Sequence, residues 1–179
     1  YAVRDPRLIV IHQENTGLTQ ALVRGCAIAR GDFIARHDAG DISLPGRLEK
    51  QLALLSTAPG LAFVSCETRY VASGGEYLYS QKGAGVARTP IDIIDTSKQY
   101  GVIDGPPHHG SVMFRRDKYN EVGGYRSQFY FGQDWDLWYR LAMVGKFQML
   151  YEELYQARIG VGDISSGSKD LQEKIAELS

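Results

Sequence analysis

The chain has 179 residues and a nearly balanced charge, with 20 Lys and Arg against 21 Asp and Glu and a formal net charge of −1. This length fits one domain with a sizeable core, and 44% hydrophobic with 23% charged residues excludes a mainly disordered chain. The lack of a basic surplus excludes nucleic acid as the expected partner, and no apolar run approaches the roughly 18 residues that span a bilayer.

The cysteine spacing and the first residues of the chain predict the redox state of the cysteines and the cellular location of the protein. Cys26 and Cys66 lack the CxxC spacing of a zinc or redox site, which predicts reduced core residues. Without a signal peptide pattern, we expect a cytoplasmic protein, or one peripheral to the inner face of the membrane. The chain begins at Tyr1 and enters a strand pattern almost at once, so we expect it to be part of a longer protein.

The first predicted elements form a strand-helix-strand unit. The β-branched run RLIVIHQ is typical of a buried strand in a parallel sheet. Residues 16–29 carry a helical stripe of apolar positions, and DFIARHD reads as a second strand. Because ligands gather at the carboxyl ends of parallel strands, Asp38 and Asp41 are predicted to lie at a binding edge.

A helix, two strands and a loop are predicted next. The helix follows Ser43, with Leu48, Leu52 and Leu55 on its buried face. LAFVSCETRYVAS is a strand, and EYLYS beyond a Ser-Gly-Gly turn is an edge strand in a hairpin with it. A short helix is predicted to begin at Thr89, before the loop GVIDGPPHHG and the strand SVMFRR.

The last part of the chain combines a helix with extended segments. GQDWDLWYRLAMVG is predicted to be an amphipathic helix, and FQMLYEELYQARIG is predicted to be extended. The side chains of this helix predicted to face the core are Trp135, Trp138, Leu141 and Ala142. We expect one domain over residues 1–160, with a linker and an appended helix over 161–179.

Two pairs of carboxylates are the main candidates for a functional site. Asp38 and Asp41 follow a predicted strand, and Asp134 and Asp136 begin a predicted helix. If the two elements converge, the pairs form one acidic cleft. The alternative is that Asp134 and Asp136 only stabilise the helix N-terminus, by about 0.3 to 1 kcal/mol each.

Two adjacent histidines precede the strand SVMFRR. Neighbouring side chains on an extended loop point to opposite sides, which argues against a single ion shared by His108 and His109. We expect one of them to be buried.

Two segments of the chain resemble family 2 glycosyltransferases. NTGLTQALVRGCAIARGDFIARHDAGDISLPGRLEKQ is similar to the central segment of the family, and HHGSVMFRRDKYNEVGGYRSQFYFGQDWDLWYRLAMVGKF to its acceptor-side segment. The similarity runs from about Asp5 to Arg158, with matching order and spacing. It implies an α/β protein of the GT-A (Rossmann-like) fold, with a mostly parallel central sheet flanked by helices and truncated at its N-terminus.

The resemblance also implies an activity and a base. Members of the family transfer a sugar from a nucleoside diphosphate to an acceptor hydroxyl, and here we expect inverting transfer of a single sugar in cell-surface glycan synthesis. The family base is the aspartate of a Glu-Asp pair at a helix start, a position that Asp134 occupies. Gln133 replaces the glutamate, and a neutral neighbour is expected to leave the pKa of the base lower than in a Glu-Asp pair.

The donor side of the resemblance carries two departures. The implied donor-binding residues are Arg36, Asp38, Asp41 and Arg158. Gly40 replaces the third residue of the family's DADD motif, and Gly160 stands where a histidine is expected. Three alternatives follow: Mg²⁺ or Mn²⁺ held by Asp38 and Asp41 with waters, a metal-free site in which an arginine steadies the diphosphate, or a non-catalytic binding or assembly module.

The remaining implications concern partners. The implied acceptor-binding residues are His109, Gly110, Ser111 and Asp136. The expected ligands are a nucleotide-sugar donor and a glycan or lipid-linked acceptor. The strands that hold the nucleotide in the family have no counterpart before Tyr1, which would leave an open sheet edge and predicts a homodimer through it.

Overall fold

A computed structural model gives the architecture of the chain for residues 3–81 and 105–160. In chain order the elements are α1 (Leu18–Ile28), β1 (Phe33–Ala35), β2 (Ile42–Ser43), α2 (Arg47–Thr57), β3 (Leu61–Ala72), β4 (Tyr77–Gln81), a 3₁₀ turn (His109–Ser111), β5 (Met113–Arg115), α3 (Arg116–Glu121), α4 (Gln133–Val144) and β6 (Lys146–Ile159). The helices predicted at Thr89 and within 161–179 lie outside the described residues. Within the described ranges, no helix is long and apolar enough to cross a bilayer.

The strands form one mixed sheet with the order β1-β5-β3-β6-β2, and β4 pairs with β3 outside this path. The long strands β3 and β6 are parallel, while every other pairing among the described strands is antiparallel. The α/β class and the predicted β3–β4 hairpin are confirmed, but the prediction of a mostly parallel sheet is wrong. Apolar runs look alike in buried strands of either direction, so the pattern could not reveal the direction of the short strands.

The run RLIVIHQ is not the buried strand that its β-branched residues predict. Residues 8–11 are exposed and have no regular structure. A strand is stable only beside another strand, and none of the described strands pairs with this run. The predicted parallel strand-helix-strand unit is therefore absent, and β1 instead pairs antiparallel with β5, with Ile34 opposite Phe114.

Helix α2 buries Leu55 as predicted but not Leu48 and Leu52. Leu48 and Leu52 are 51% and 44% exposed, whereas Arg47, Gln51 and Leu55 are buried. The long polar side chains of Arg47 and Gln51 donate hydrogen bonds to backbone carbonyls beneath the helix. Because buried carbonyls require donors, polar residues occupy the inner face where leucines were predicted.

Helix α4 packs on the main core. Trp138 and Leu141 are buried as predicted, and Ala142 is partly buried against the same cluster. Trp135 was predicted to face the core but is 39% exposed. The buried members of this cluster are Ala62, Phe63, Val112, Phe114, Tyr119, Tyr125, Leu137, Trp138, Leu141, Phe147 and Met149. Each large apolar side chain buried there contributes about 1.5–3 kcal/mol, which anchors α4 against β3 and β6.

Both cysteines are reduced, as predicted. Cys66 on β3 is fully buried, and Cys26 on α1 is partly buried against the main core. Burial raises the pKa of the Cys66 thiol to about 11, so this side chain stays a neutral thiol.

Candidate functional site

Arg36 directly follows β1 and precedes the acidic turn. Its backbone N–H donates to the Val112 carbonyl at 2.8 Å, which extends the contact between β1 and β5 by one residue. The guanidinium is buried, and its Nη2 forms an ion pair with Asp38 Oδ1. Its Nε has no hydrogen-bond partner among the described residues. The observed role of Arg36 is therefore a structural ion pair with Asp38.

Asp38 and Asp41 lie at the two ends of a tight turn. The Asp41 N–H donates to the Asp38 carbonyl at 3.3 Å, and Gly40 between them has a φ of +90°. That region of backbone conformation favours glycine because a Cβ there is strained. The glycine that replaces the family's third residue therefore also shapes this turn.

Two donors hold the Asp41 carboxylate. The Tyr155 hydroxyl donates to Oδ2 at 2.7 Å, and the backbone N–H of Arg158 donates to Oδ1 at 2.9 Å. Burial raises the pKa of Tyr155, so the phenol keeps the proton that it donates. The predicted donor-site residue Arg158 thus contacts Asp41 through its backbone, while its side chain lies in an exposed position.

The 3₁₀ turn at His109–Ser111 brings two more predicted residues beneath the acidic turn. Gly110 and Ser111 are buried, and their carbonyls accept hydrogen bonds from Arg47 at 2.7 Å and Gln51 at 2.8 Å. Glycine is required at 110, because a Cβ there would lie 2.8 Å from Asp38 Oδ2. These two residues support the site from below.

The two histidines point in different directions, as the extended backbone predicts. The His109 ring lies with its Nε2 2.7 Å from the Tyr125 hydroxyl and contacts the Trp138 ring edge-on, with centroids 6.1 Å apart. Burial lowers the pKa of His109 well below 6.5, so the ring is neutral at pH 7. His109 thereby connects the 3₁₀ turn to α4.

Asp134 lies in the first turn of α4, where its Oδ1 accepts the Trp135 N–H at 3.0 Å. Burial raises the pKa of Asp134, and the backbone N–H groups of Trp135 and Asp134 oppose this shift. The charge of Arg36 also lowers this pKa, and that of Asp38 raises it. Asp134 is therefore close enough to the acidic turn for both charges to act on it.

Asp136 faces a different environment from Asp134. Its buried carboxylate accepts hydrogen bonds from Arg140 at 2.5 Å and from Arg126 at 3.3 Å. Both carboxylate oxygens are thus engaged in ion pairs, one with Arg140 on the same helix and one with Arg126 in the segment after α3. Its predicted contact with the acceptor stays a prediction, and these bonds favour a structural role.

Three potential metal ligands lie close together at the acidic turn. They are one ring nitrogen of His108 and one carboxylate oxygen each from Asp38 and Asp41, and these atoms lie within 4.8 Å of one another. Burial lowers the pKa of His108, so its ring is neutral at pH 7. Its Nδ1 accepts the Gly110 N–H at 3.0 Å, which assigns the single ring proton to Nε2. Neither nitrogen then offers a free lone pair, whereas each carboxylate oxygen keeps one beyond its hydrogen bond.

The chemistry of this donor set fits a hard divalent cation. Asp38 and Asp41 would hold it through oxygen atoms, and Mg²⁺ is commonly bound by one or two carboxylates plus waters and substrate phosphates. As positioned, His108 belongs to the surroundings of such a cation rather than to its ligands.

Sequence patterns did not assign Arg47 or Tyr155 to this site, and they did not place His108 beside Asp38 and Asp41. A signal for Arg47 was the spacing of Arg47, Gln51 and Leu55, which share one face of a helix at intervals of four residues. Tyr155 carried no comparable signal, because its partners lie more than 100 positions away in the chain.

Comparison with known proteins identifies the family. The model described as "Glycosyl transferase family 2" matches residues 1–123, a range that includes the acidic turn and ends before Asp134. The chain belongs to glycosyl transferase family 2. The fold is the GT-A fold that the resemblance implied.

Curated relatives agree with this assignment. The chain is 31% identical over 142 residues to the amylovoran biosynthesis glycosyltransferase AmsE of Erwinia amylovora, covering 78% of this chain and 49% of AmsE. It is 32% identical over 156 residues to the putative glycosyltransferase EpsE of Bacillus subtilis, covering 84% of this chain and 51% of EpsE. The chain thus spans about half the length of these relatives.

A solved structure supports the fold. The crystal structure of S. aureus TarS 1-349 superposes with a TM-score of 0.60 at 11% identity, covering 83% of this chain and 42% of that chain. At this identity the likeness concerns the fold alone.

Proposed function

We propose that this chain contains the base and the donor-diphosphate side of an inverting glycosyltransferase, which moves a single sugar from a nucleoside diphosphate to an acceptor hydroxyl. One observation carries the proposal: in a chain of this family, the 3₁₀ turn that lies against Asp38 also contacts Trp138 through His109, so it joins the acidic turn to the helix that begins with Asp134. This arrangement supports a base and a diphosphate site that serve the same sugar.

Asp134 is proposed to be the general base. Inverting transfer requires a group that takes the acceptor proton as the hydroxyl oxygen attacks the anomeric carbon and the bond to the diphosphate breaks. General bases contribute most when their pKa approaches the working pH, and burial raises the pKa of Asp134 toward that range. The neighbouring Gln133 is neutral and buried, so it adds no like charge.

The acidic turn is proposed to receive the diphosphate together with Mg²⁺ or Mn²⁺. When bound, such a cation supplies positive charge that offsets the charge on the departing diphosphate. Asp38 and Asp41 would hold it with carboxylate oxygens, as the donor set allows. Arg36 keeps Asp38 oriented through its ion pair, and we propose that Arg158 reaches the diphosphate from the exposed end of β6.

The acceptor is proposed to approach between the 3₁₀ turn and α4. His109 contacts Tyr125 and Trp138, which ties this turn to the helix that carries Asp134. Gly110 and Ser111 are proposed to shape the floor of the acceptor site, because both are buried beneath the acidic turn.

The wider role is proposed from the relatives. AmsE is named for amylovoran biosynthesis, and by analogy we propose a role in cell-surface glycan synthesis for this chain, with a nucleotide-sugar donor and a glycan or lipid-linked acceptor. A cytoplasmic location, free or peripheral to the inner face of the membrane, stays a prediction. The homodimer through a sheet edge also stays a prediction, and a clean monomer at high concentration in light scattering would contradict it.

A donor screen with two matched variants tests the proposed function. The full chain is incubated with UDP-, GDP- and dTDP-sugars and Mg²⁺, and release of nucleoside diphosphate is measured for wild type, Asp134→Asn and Asp32→Asn. Asp32 is the control because its side chain is 91% exposed and the charge change is the same. We expect Asp134→Asn to lower kcat by about 10²- to 10⁴-fold and Asp32→Asn to leave it unchanged.

Two results would contradict the enzyme. Equal turnover by wild type and Asp134→Asn would exclude Asp134 as the base. No turnover of any donor by the well-folded full-length protein would instead favour the binding or assembly module.

A further inference from the structure

We propose that Tyr155 is a positioning residue of the donor site: its phenolic oxygen joins the two ends of the Asp38–Asp41 turn and holds the two carboxylates in the geometry that a nucleoside diphosphate and its cation require. This inference rests on the proposed function and adds to it a residue from the opposite end of the chain.

The phenolic oxygen makes two hydrogen bonds to the acidic turn. It accepts the backbone N–H of Asp38 at 3.1 Å and donates to Asp41 Oδ2 at 2.7 Å. One atom therefore contacts the backbone at the first position of the turn and the carboxylate at its last position. The distance between these two groups is set by where the oxygen lies.

The Tyr155 ring that carries this oxygen is held in place by Arg47. Tyr155 is fully buried on β6, and the Arg47 guanidinium lies over its ring with Cζ 4.6 Å from the centroid. The same guanidinium donates to the carbonyls of Arg36 at 2.8 Å and Gly110 at 2.7 Å. Arg47 thus connects the ring to the backbone on both sides of the site.

The sides of the ring are also occupied. The His108 ring stacks on it with centroids 5.3 Å apart, and His37 meets it edge-on at 5.6 Å. A Cβ at Gly110 would lie 2.1 Å from the phenolic oxygen, so only a glycine allows the backbone at position 110 to lie this close to Tyr155. With these contacts the oxygen has little room to move.

Replacing Tyr155 by phenylalanine removes one oxygen and leaves the ring. The Asp38 N–H then loses its acceptor, and Asp41 loses one of its two donors. Arg158 still donates to Asp41, so the carboxylate stays nearby but gains rotational freedom. Because preorganised ligands bind more tightly than mobile ones, nucleotide affinity should fall while the chemistry at Asp134 is retained.

The matched control is Tyr70→Phe. Tyr70 is also buried, and its ring contacts His108 edge-on at 5.8 Å. Its hydroxyl donates to the Pro107 carbonyl at 2.8 Å and touches neither carboxylate of the turn. Both variants therefore delete a hydroxyl from a buried tyrosine of the same aromatic cluster.

The experiment uses the full chain and three readouts. Calorimetry measures the Kd of UDP, GDP and dTDP, each with Mg²⁺; amide hydrogen exchange follows the N–H groups of Asp38 and Arg158; and steady-state kinetics follow the donor that wild type accepts. For Tyr155→Phe we expect a Kd and a donor KM about tenfold higher, a kcat within about twofold of wild type, and faster exchange at Asp38. Tyr70→Phe should leave Kd, KM and Asp38 exchange unchanged, whatever it does to stability.

Three outcomes would overturn the proposal: an unchanged Kd in Tyr155→Phe, unchanged exchange at Asp38 in that variant, or an equal loss of affinity in both variants. Failure of the proposed function looks different, because wild type itself would then bind none of the three nucleotides. In that case amide exchange still decides whether Tyr155 holds the turn.

Discussion

Replacing Gly110 by alanine places a methyl group where the site has no space for it. The added Cβ would lie 2.1 Å from Tyr155 Oη, 2.7 Å from Tyr155 Cζ and 2.8 Å from Asp38 Oδ2. Ordinary contacts begin at 3.4 Å, so the methyl and the phenolic oxygen must separate by about 1.3 Å. Tyr155 is fully buried and the Asp38 carboxylate is paired with Arg36, so neither neighbour moves freely.

The expected cost follows from this overlap. Inserting a methyl group into a well-packed interior destabilises a protein by about 1–3 kcal/mol, which for a chain of this size lowers Tm by roughly 2 to 12 °C. Since the displaced groups are Asp38 and Tyr155, affinity for a nucleoside diphosphate with Mg²⁺ should fall as well. Thermal unfolding and calorimetry on the same preparation measure both effects.

Gly25→Ala is the matched control for Gly110→Ala. Gly25 lies inside α1, and a Cβ there meets nothing within 4 Å. Because alanine loses less backbone entropy than glycine in a helix, this variant should be more stable than wild type by about 0.5–1 kcal/mol. The same chemical change is therefore expected to have opposite signs at the two positions.

A double variant tests whether the phenolic oxygen is the main obstacle. In Gly110→Ala with Tyr155→Phe, the 2.1 Å contact disappears and the 2.7 Å contact with Cζ remains. The two stability losses should therefore sum to more than the double variant loses. A Gly110→Ala variant that matches wild type in both Tm and nucleotide affinity would show that the site has space for the methyl group.

Three further predictions concern the charges and the cation. Burial raises the pKa of Asp134, so the folded state binds the Asp134 proton more tightly than the unfolded chain does. The free energy of unfolding therefore falls as pH rises from the unfolded-state pKa through the folded-state pKa. In urea titrations, Asp134→Asn should be more stable than wild type at pH 8 and lose this advantage at pH 3. Asp136→Asn breaks the buried pair with Arg140 and should cost about 3–5 kcal/mol of unfolding free energy, measured by urea titration, whereas a small cost would mean that the pair is solvated. Pulsed EPR of bound Mn²⁺ should show no coupling to a directly bound ring nitrogen of His108, and observation of that coupling would make His108 a ligand.

Much of the fold follows from local patterns in the sequence. The apolar stripes of α1 and α4 repeat at helical spacing, and both helices form within two residues of their predicted bounds. The long run of β3 and the turn at Gly74 predict the hairpin with β4. These features depend on residues close in sequence, and so they can be read without knowledge of the partners.

Elsewhere the pattern was misleading because packing partners decide what is buried. RLIVIHQ has the composition of a core strand, yet none of the described strands lies beside it. On α2 the leucines at 48 and 52 lie outward because Arg47 and Gln51 supply donors to buried carbonyls. The hydrophobicity of a residue does not show whether a buried carbonyl nearby needs a hydrogen-bond donor.

By itself, the sequence determined the family, the acidic turn at Asp38 and Asp41, and the helix that begins with Asp134. Only the tertiary structure decided that Arg36 and Asp38 act on the pKa of Asp134 and that Tyr155 reaches the acidic turn from 117 positions away. It also decided that Asp136 is engaged by two arginines, although it lies two residues from Asp134. The physical reason is that residue type and spacing carry the local chemistry, whereas electrostatic and hydrogen-bond partners are set by the path of the whole chain.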